Sequence, residues 1–283
     1  MVYYGVQYKR SFEAFSLREL SAHTHPGKVR GHNEDTVVVV PEQGVCVLAD
    51  GVGGHQRGEI ASRVVCDSVR DSLLAGHELV DAIHTAHLQV LQAIASSTEG
   101  RERPGMGATV VAAKISPDST YEVAWVGDSR IYLWDGTLQQ ISRDHSVVGE
   151  LLARNAITPE QARVHPDRNV ITQSLGVSPD MQLDVGYVTG VLEPDSQLLL
   201  CSDGLTDELS DEMISQVFVQ FSDAEAQQEA LLNMALDTPA RDNISVIVVG
   251  PAAQSGGRLG NWLNTATFLL ATAAFVFVAS RLL

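Results

Sequence analysis

Cysteine is scarce in this 283-residue chain: there are three, Cys46, Cys66 and Cys201, and no two are closely spaced. That excludes a disulfide-stapled scaffold and points to reduced thiols in a cytosolic compartment. Positive charge is short as well, with 19 Lys and Arg against 35 Asp and Glu, a formal net charge of −16. Phosphate backbones need a basic face, so no nucleic-acid partner is expected. The first ten residues, MVYYGVQYKR, lack the apolar core of a signal peptide, and no repeat of fixed period runs through the chain.

What is present suits one large domain. With 45% hydrophobic and 19% charged residues, residues 1–250 can bury a sizeable core. Residues 251–261 are small, polar and flexible, as a linker is. From Trp262 to Ser280 no residue is charged, and 19 helical residues reach roughly 28 Å, close to a bilayer's hydrocarbon thickness. This predicts a transmembrane helix over 262–280, a single-pass C-terminal anchor in the inner membrane and the preceding domain on the cytoplasmic side. Arg258 and Arg281 flank the segment evenly and do not fix its orientation.

The stretch Val45–His55 organises the remainder. A short apolar run empties Asp50 onto a glycine-rich turn, which reads as a buried strand with a carboxylate at its mouth. The β-branched run Thr36–Val40 and the turn 41–44 complete a hairpin, so Glu34 and Asp35 should stand near Asp50. Further strands end the same way, at Asp128, at Asp203-Gly204 and beside Asp242-Asn243. Carboxylates gathered at one sheet end repel one another, and a hard divalent cation relieves that repulsion. With no thiolate or clustered imidazole among them, they describe an all-oxygen site suited to Mg²⁺ or Mn²⁺.

Between the strands, apolar residues at steps of three and four predict paired helices, with Ile60, Val64, Val69 and Leu73 marking one face and Leu79, Ile83, Ala86, Val90 and Ile94 another. His84 and His87 read as solvated neighbours of that second stripe. Residues 144–178 break the β rhythm and contain Thr158-Pro159-Glu160-Gln161, a capping-box start. This insert reads as a flap over a cleft or as inert surface. Many short hairpin strands with helix pairs between them indicate an α+β layered sandwich rather than a βαβ fold.

The set Arg30-Gly31-His32-Asn33-Glu34-Asp35, Ala49–His55, Gly105–Thr109, Val126–Arg130, Arg143–Ser146, Ser202–Leu205 and Arg241–Ser245 resembles, in order and rough spacing, the PP2C-type (PPM) metal-dependent protein Ser/Thr phosphatases of bacteria. The resemblance covers about residues 8–250. It implies a four-layer sandwich, two antiparallel sheets flanked by helix pairs, with two Mn²⁺ or Mg²⁺ ions, or three, at one end. It implies that Asp50 bridges the metals, Gly51 offers its carbonyl, and Asp203 and Asp242 complete the first site. Glu34 and Asp35 would hold the second ion's waters, with Asn243 in support, and Asp128 with Asp203 a third ion. Arg30 resembles the phosphate-binding arginine.

The implied chemistry is attack on phosphorus by water activated between two cations. Where many eukaryotic relatives have a histidine assigned as general acid, this chain has Val52, so the proton donor is open, and His165 in the flap is a candidate substrate contact. The expected activity is hydrolysis of phosphoserine and phosphothreonine in proteins, opposing a cognate bacterial Ser/Thr kinase. Two other readings share the residues: a phosphatase of a small phosphoester or stress-regulator protein, and a membrane-tethered binding module without catalysis.

Overall fold

The computed structural model describes residues 18–53, 56–96 and 106–252. Five strands form one sheet in the order β1-β12-β11-β8-β9, built from Arg18–His25, Ile244–Ala252, Gln197–Cys201, Arg130–Trp134 and Leu138–Gln140. Five more form a second in the order β10-β7-β6-β3-β2, from Gly186–Val191, Thr120–Val126, Val110–Ile115, Val45–Ala49 and Thr36–Val40. Every pairing is antiparallel.

The central strands read as unbroken apolar runs because both of their faces are covered. In β3, Cys46 and Leu48 point between the sheets, packing with Val123, Ile131, Leu200 and Ile247. Val45, Val47 and Ala49 point the other way, onto α1 (Gln56–Leu74) and α2 (Leu79–Ser96). In β12, Val246 and Val248 meet Ile214, Phe218 and Leu231, which belong to α6 (Asp211–Gln220) and α7 (Ala224–Leu236). The expected four layers are therefore present, with one apolar interface between each pair.

Local chemistry starts the helices where the sequence places them. Ser210 accepts from the Met213 N–H at the head of α6, Asp223 from Ala226 at α7, and Ser146 from Gly149 at α3 (Val147–Ala153). At α4 (Pro159–Arg163) the capping box between Thr158 and Gln161 is complete.

Several expectations are corrected. The buried face of α1 is Ala61, Val65, Cys66, Val69 and Leu73, while Ile60 is exposed. His87 is buried, not solvated, and its Nδ1 accepts the Gly176 N–H at 3.1 Å. β10 starts at Gly186, where the Trp125 indole fills the space of a side chain, and Leu183 before it turns into the core over α1 and α2. At the edge of its sheet, β1 pairs along β12 from Arg18 to His25. The transmembrane helix is also corrected: among the described residues no helix is long and apolar enough to cross a membrane. The two longest are amphipathic, α1 carrying Arg57, Glu59, Arg63, Asp67, Arg70 and Asp71. The 262–280 segment and the linker from 253 onward lie outside the described residues.

Candidate metal centre

β3 ends at Ala49, and the chain turns at Asp50 into β4 (Gly51–Val52), which pairs with β5 (Gly107–Ala108). Thr109 fixes that turn, its N–H donating to the Asp50 carbonyl at 2.9 Å and its hydroxyl accepting from the Asp50 N–H at 3.1 Å. The Thr109 hydroxyl also meets that of Ser129 at 2.8 Å, tying the Asp50 turn to the Asp128 turn. The Gly51 N–H donates to the Glu34 carbonyl, and a side chain at Gly51 would strike the Gly58 and Glu34 carbonyls, so only glycine fits.

Asn243 clamps the Arg30–Asp35 loop to the start of β12. Its Nδ2 donates to the carbonyls of Pro26 and His32, and its Oδ1 accepts the Glu34 N–H at 2.8 Å. Its own N–H donates to Asp242 Oδ1. Asp203 opens α5 (Asp203–Thr206), where Gly204 packs against the Asn243 carbonyl.

These turns bring the strand-end acids together. Burial raises Asp50 well above the usual carboxylate range, and the fields of Asp35, Asp203, Asp128 and Asp242 raise it further. Burial likewise lifts Asp203, with Asp128, Asp207 and Asp242 adding to it. Asp35 is pushed up to about 6, chiefly by burial, although Ser245 donates to its Oδ2 at 2.6 Å. Asp128 rises to about 7, from burial first and then Asp144. Packing carboxylates at such cost, with only Arg30 and Arg130 to offset them, is what a cation site does.

Two observations bear on the fit of a metal. Asp35 Oδ1 and Asp203 Oδ1 are buried without a hydrogen-bond partner, which is where a hard cation would be accepted. Among the described residues no group of three His, Cys, Asp or Glu side chains is placed to hold a metal ion as it stands. Asp35 gives one oxygen to Ser245, and Asp242 gives its Oδ2 to Arg30. The donor set is all oxygen and strongly anionic, and it suits Mg²⁺ or Mn²⁺. A separate cleft of about 370 Å³ opens beside the flap, among Arg143, His145, Glu150, Arg154, Thr172 and Asp184, and Asp50, Asp203 and Asp242 do not line it.

Residues 23–238 match the family described as Protein phosphatase 2C. The chain belongs to the protein phosphatase 2C family. It is 33% identical over 246 residues to the serine/threonine phosphatase stp of Listeria welshimeri, covering 83% of this chain and 96% of that one. It is 36% identical over 244 residues to protein phosphatase PhpP of Streptococcus pneumoniae, covering 82% and 96%. Among solved structures, the catalytic domain of the phosphatase PstP in complex with two manganese ions superposes with a TM-score of 0.72 at 29% identity, over 82% of this chain and 97% of that one. This PP2C chain is accordingly a metal-dependent phosphoprotein phosphatase acting on phosphoserine and phosphothreonine.

In this PP2C chain Asp35, Asp50, Asp128, Asp203 and Asp242 lie within one another's fields, with Glu34, Gly51 and Asn243 bonded into the same turns. Arg30 is there too, donating to Asp242 Oδ2 at 2.7 Å. His165 accepts the Asp167 N–H at its Nδ1, within its own turn. Residues that sequence reasoning missed are Asp207, whose field raises Asp203 and Asp128, and Arg168, a flap cation whose field reaches Asp207. Asp144, singled out within the Arg143–Ser146 motif but without a role, takes Arg130 through both carboxylate oxygens and ties residue 144 to β8. Asp207 sits four residues after Asp203, a helical step that was the available signal.

Proposed function

We propose that the acid cluster is the catalytic centre and that each residue has a distinct task in it. Asp50, the Gly51 carbonyl, Asp203 and Asp242 would hold one divalent ion, and Asp50 with Glu34 and Asp35 would serve a second. Asp128 and Asp203 would serve a third. The observation that carries this reading is the pair of orphaned buried oxygens, on Asp35 and Asp203, inside a group of five mutually repelling carboxylates. When bound, Mn²⁺ or Mg²⁺ supplies Lewis acidity, sharpening a water molecule into a nucleophile and neutralising charge as phosphorus is attacked.

The protein's own groups supply position. Arg30 is half-exposed at the open edge of the cluster, where its planar fork can take two oxygens of a phosphoserine or phosphothreonine. Asn243 fixes the distance between Arg30's loop and Asp242. Ser245 orients Asp35 so that its other oxygen faces the cluster. The flap is joined to the same strands, with Leu175 and Ala108 exchanging backbone hydrogen bonds and the His145 N–H donating to the Gly127 carbonyl. A substrate segment lying under it meets the cluster from one direction.

The substrates are phosphorylated proteins, and the cellular counterpart is a Ser/Thr kinase whose marks this enzyme erases. We place the domain in the cytoplasm, where its three buried cysteines stay thiols. The test is turnover of a phosphothreonine peptide with Mn²⁺, with Mg²⁺ and with chelator, in wild type and Asp203→Asn. A loss of at least a hundredfold with circular dichroism preserved is expected, on the scale of removing a group that acts on the transition state. An unchanged rate removes Asp203 from the centre.

A further inference from the structure

Arg30 occupies a position that its role toward phosphate does not require. Its Nη2 donates to Asp242 Oδ2 at 2.7 Å, and it lies within the fields of Glu34 and Asp50 as well. The other Asp242 oxygen is held by the Asn243 N–H at 2.8 Å. That backbone bond sets the carboxylate's direction, so Oδ2 is the oxygen it presents outward. Arg30 therefore takes a lone pair of the oxygen that a cation would use. Both guests are positive, and their repulsion at one oxygen sets them in competition.

We propose that Arg30 is an internal counter-ion of the acid cluster, displaced from Asp242 by the first divalent ion and thereby released to grip phosphate. This rests on the reading above that Asp242 is a metal ligand. It makes metal loading and phosphate capture one linked event: without metal, Arg30 is held on Asp242; with metal, its fork is free. By reciprocity, phosphate drawing Arg30 away favours metal at Asp242. The ion pair is half-exposed on both sides, 54% and 39%, so it is weak enough to yield to a dication.

The test uses the full chain stripped of metal, with Mg²⁺ alone and then inorganic phosphate as probes. Mg²⁺ affinity is measured by calorimetry in wild type, Arg30→Gln, Arg168→Gln and Asp242→Asn, each checked for folding by its thermal melt. Arg168 is the control for bulk charge: it is an exposed cation that faces Asp207 rather than Asp242. Arg30→Gln should bind Mg²⁺ about two- to five-fold more tightly, the scale of an exposed ion pair, and Arg168→Gln should change affinity by less than half as much. The Arg30 Nε–Hε resonance should move on adding Mg²⁺ before any phosphate.

Equal tightening in both arginine variants, no tightening in Arg30→Gln, or an Arg30 resonance blind to Mg²⁺ overturns the proposal. If Asp242→Asn leaves Mg²⁺ affinity at the wild-type value, the metal-ligand reading itself fails. If Asp242→Asn weakens binding while Arg30→Gln does nothing, only the counter-ion role is lost.

Discussion

Replacing Asn243 with alanine cuts the clamp between the Arg30–Asp35 loop and β12. The side chain is 5% exposed and makes three hydrogen bonds, to the carbonyls of Pro26 and His32 and from the Glu34 N–H. Each is worth about 1 kcal/mol net, and the groups left behind are backbone groups with little access to water, so a loss of about 3 kcal/mol is expected. For a domain of this size, about 2–4 °C per kcal/mol puts the fall in Tm at about 6–12 °C. Urea unfolding with chelator present isolates the clamp from metal binding, and an unchanged m value shows that the unfolded state is not what moved. Under Mn²⁺, KM for a phosphopeptide should rise more than kcat falls, because Arg30 loses its fixed distance to Asp242. A destabilisation below about 0.5 kcal/mol would refute the reasoning, since it would mean that these three bonds hold nothing that water cannot replace.

The carboxylates predict the sign of the metal-free protein's pH dependence. Asp35 and Asp128 are raised to about 6 and about 7 in the folded state, so the unfolded chain releases those protons first and stability falls as pH rises from about 4 to 7; a thermal melt with chelator should show Tm dropping across that window, and saturating Mg²⁺ should flatten the drop. Gly204→Ala would place a Cβ 2.0 Å from the Asn243 carbonyl oxygen, so α5 must shift against β12. A loss of about 2–3 kcal/mol is expected, accompanied by weaker Mg²⁺ binding, and wild-type values for both would show that this contact yields freely. Burial pushes Cys46 and Cys201 up to about 12 and raises Cys66 as well, so a thiol reagent at pH 8 should label none of the three until urea unfolds the domain. Stoichiometric labelling of the native protein would contradict their burial.

Much of this enzyme could be read from local pattern, because local pattern records burial. Runs such as Val45–Ala49 and Val246–Val249 are apolar at every position, the mark of strands covered on both faces, and the helix starts at Ser210 and Thr158 follow from capping chemistry that acts within four residues. The acids at strand ends were visible for the same reason: a carboxylate after a buried run needs a partner, wherever that partner is. β1 was not visible, since only Leu20 and Ala22 mark its buried face and its place depends on pairing with β12 more than 200 positions away. The buried face of α1 and the burial of His87 depend on what packs against them, so they were misread from spacing alone.

Partnership across the chain was decided by the tertiary structure. Arg30 and Asp242 are 212 residues apart in sequence yet 2.7 Å apart in space, and Asn243 reaches back 217 residues to hold Pro26. Composition and spacing determined that this chain would form a layered α+β sandwich with acids at its strand ends. Which acid keeps a free oxygen, which is held by a hydroxyl and which is held by an arginine was set when the two sheets closed face to face, because a charge interacts with whatever the fold brings near it and not with its neighbours in the sequence.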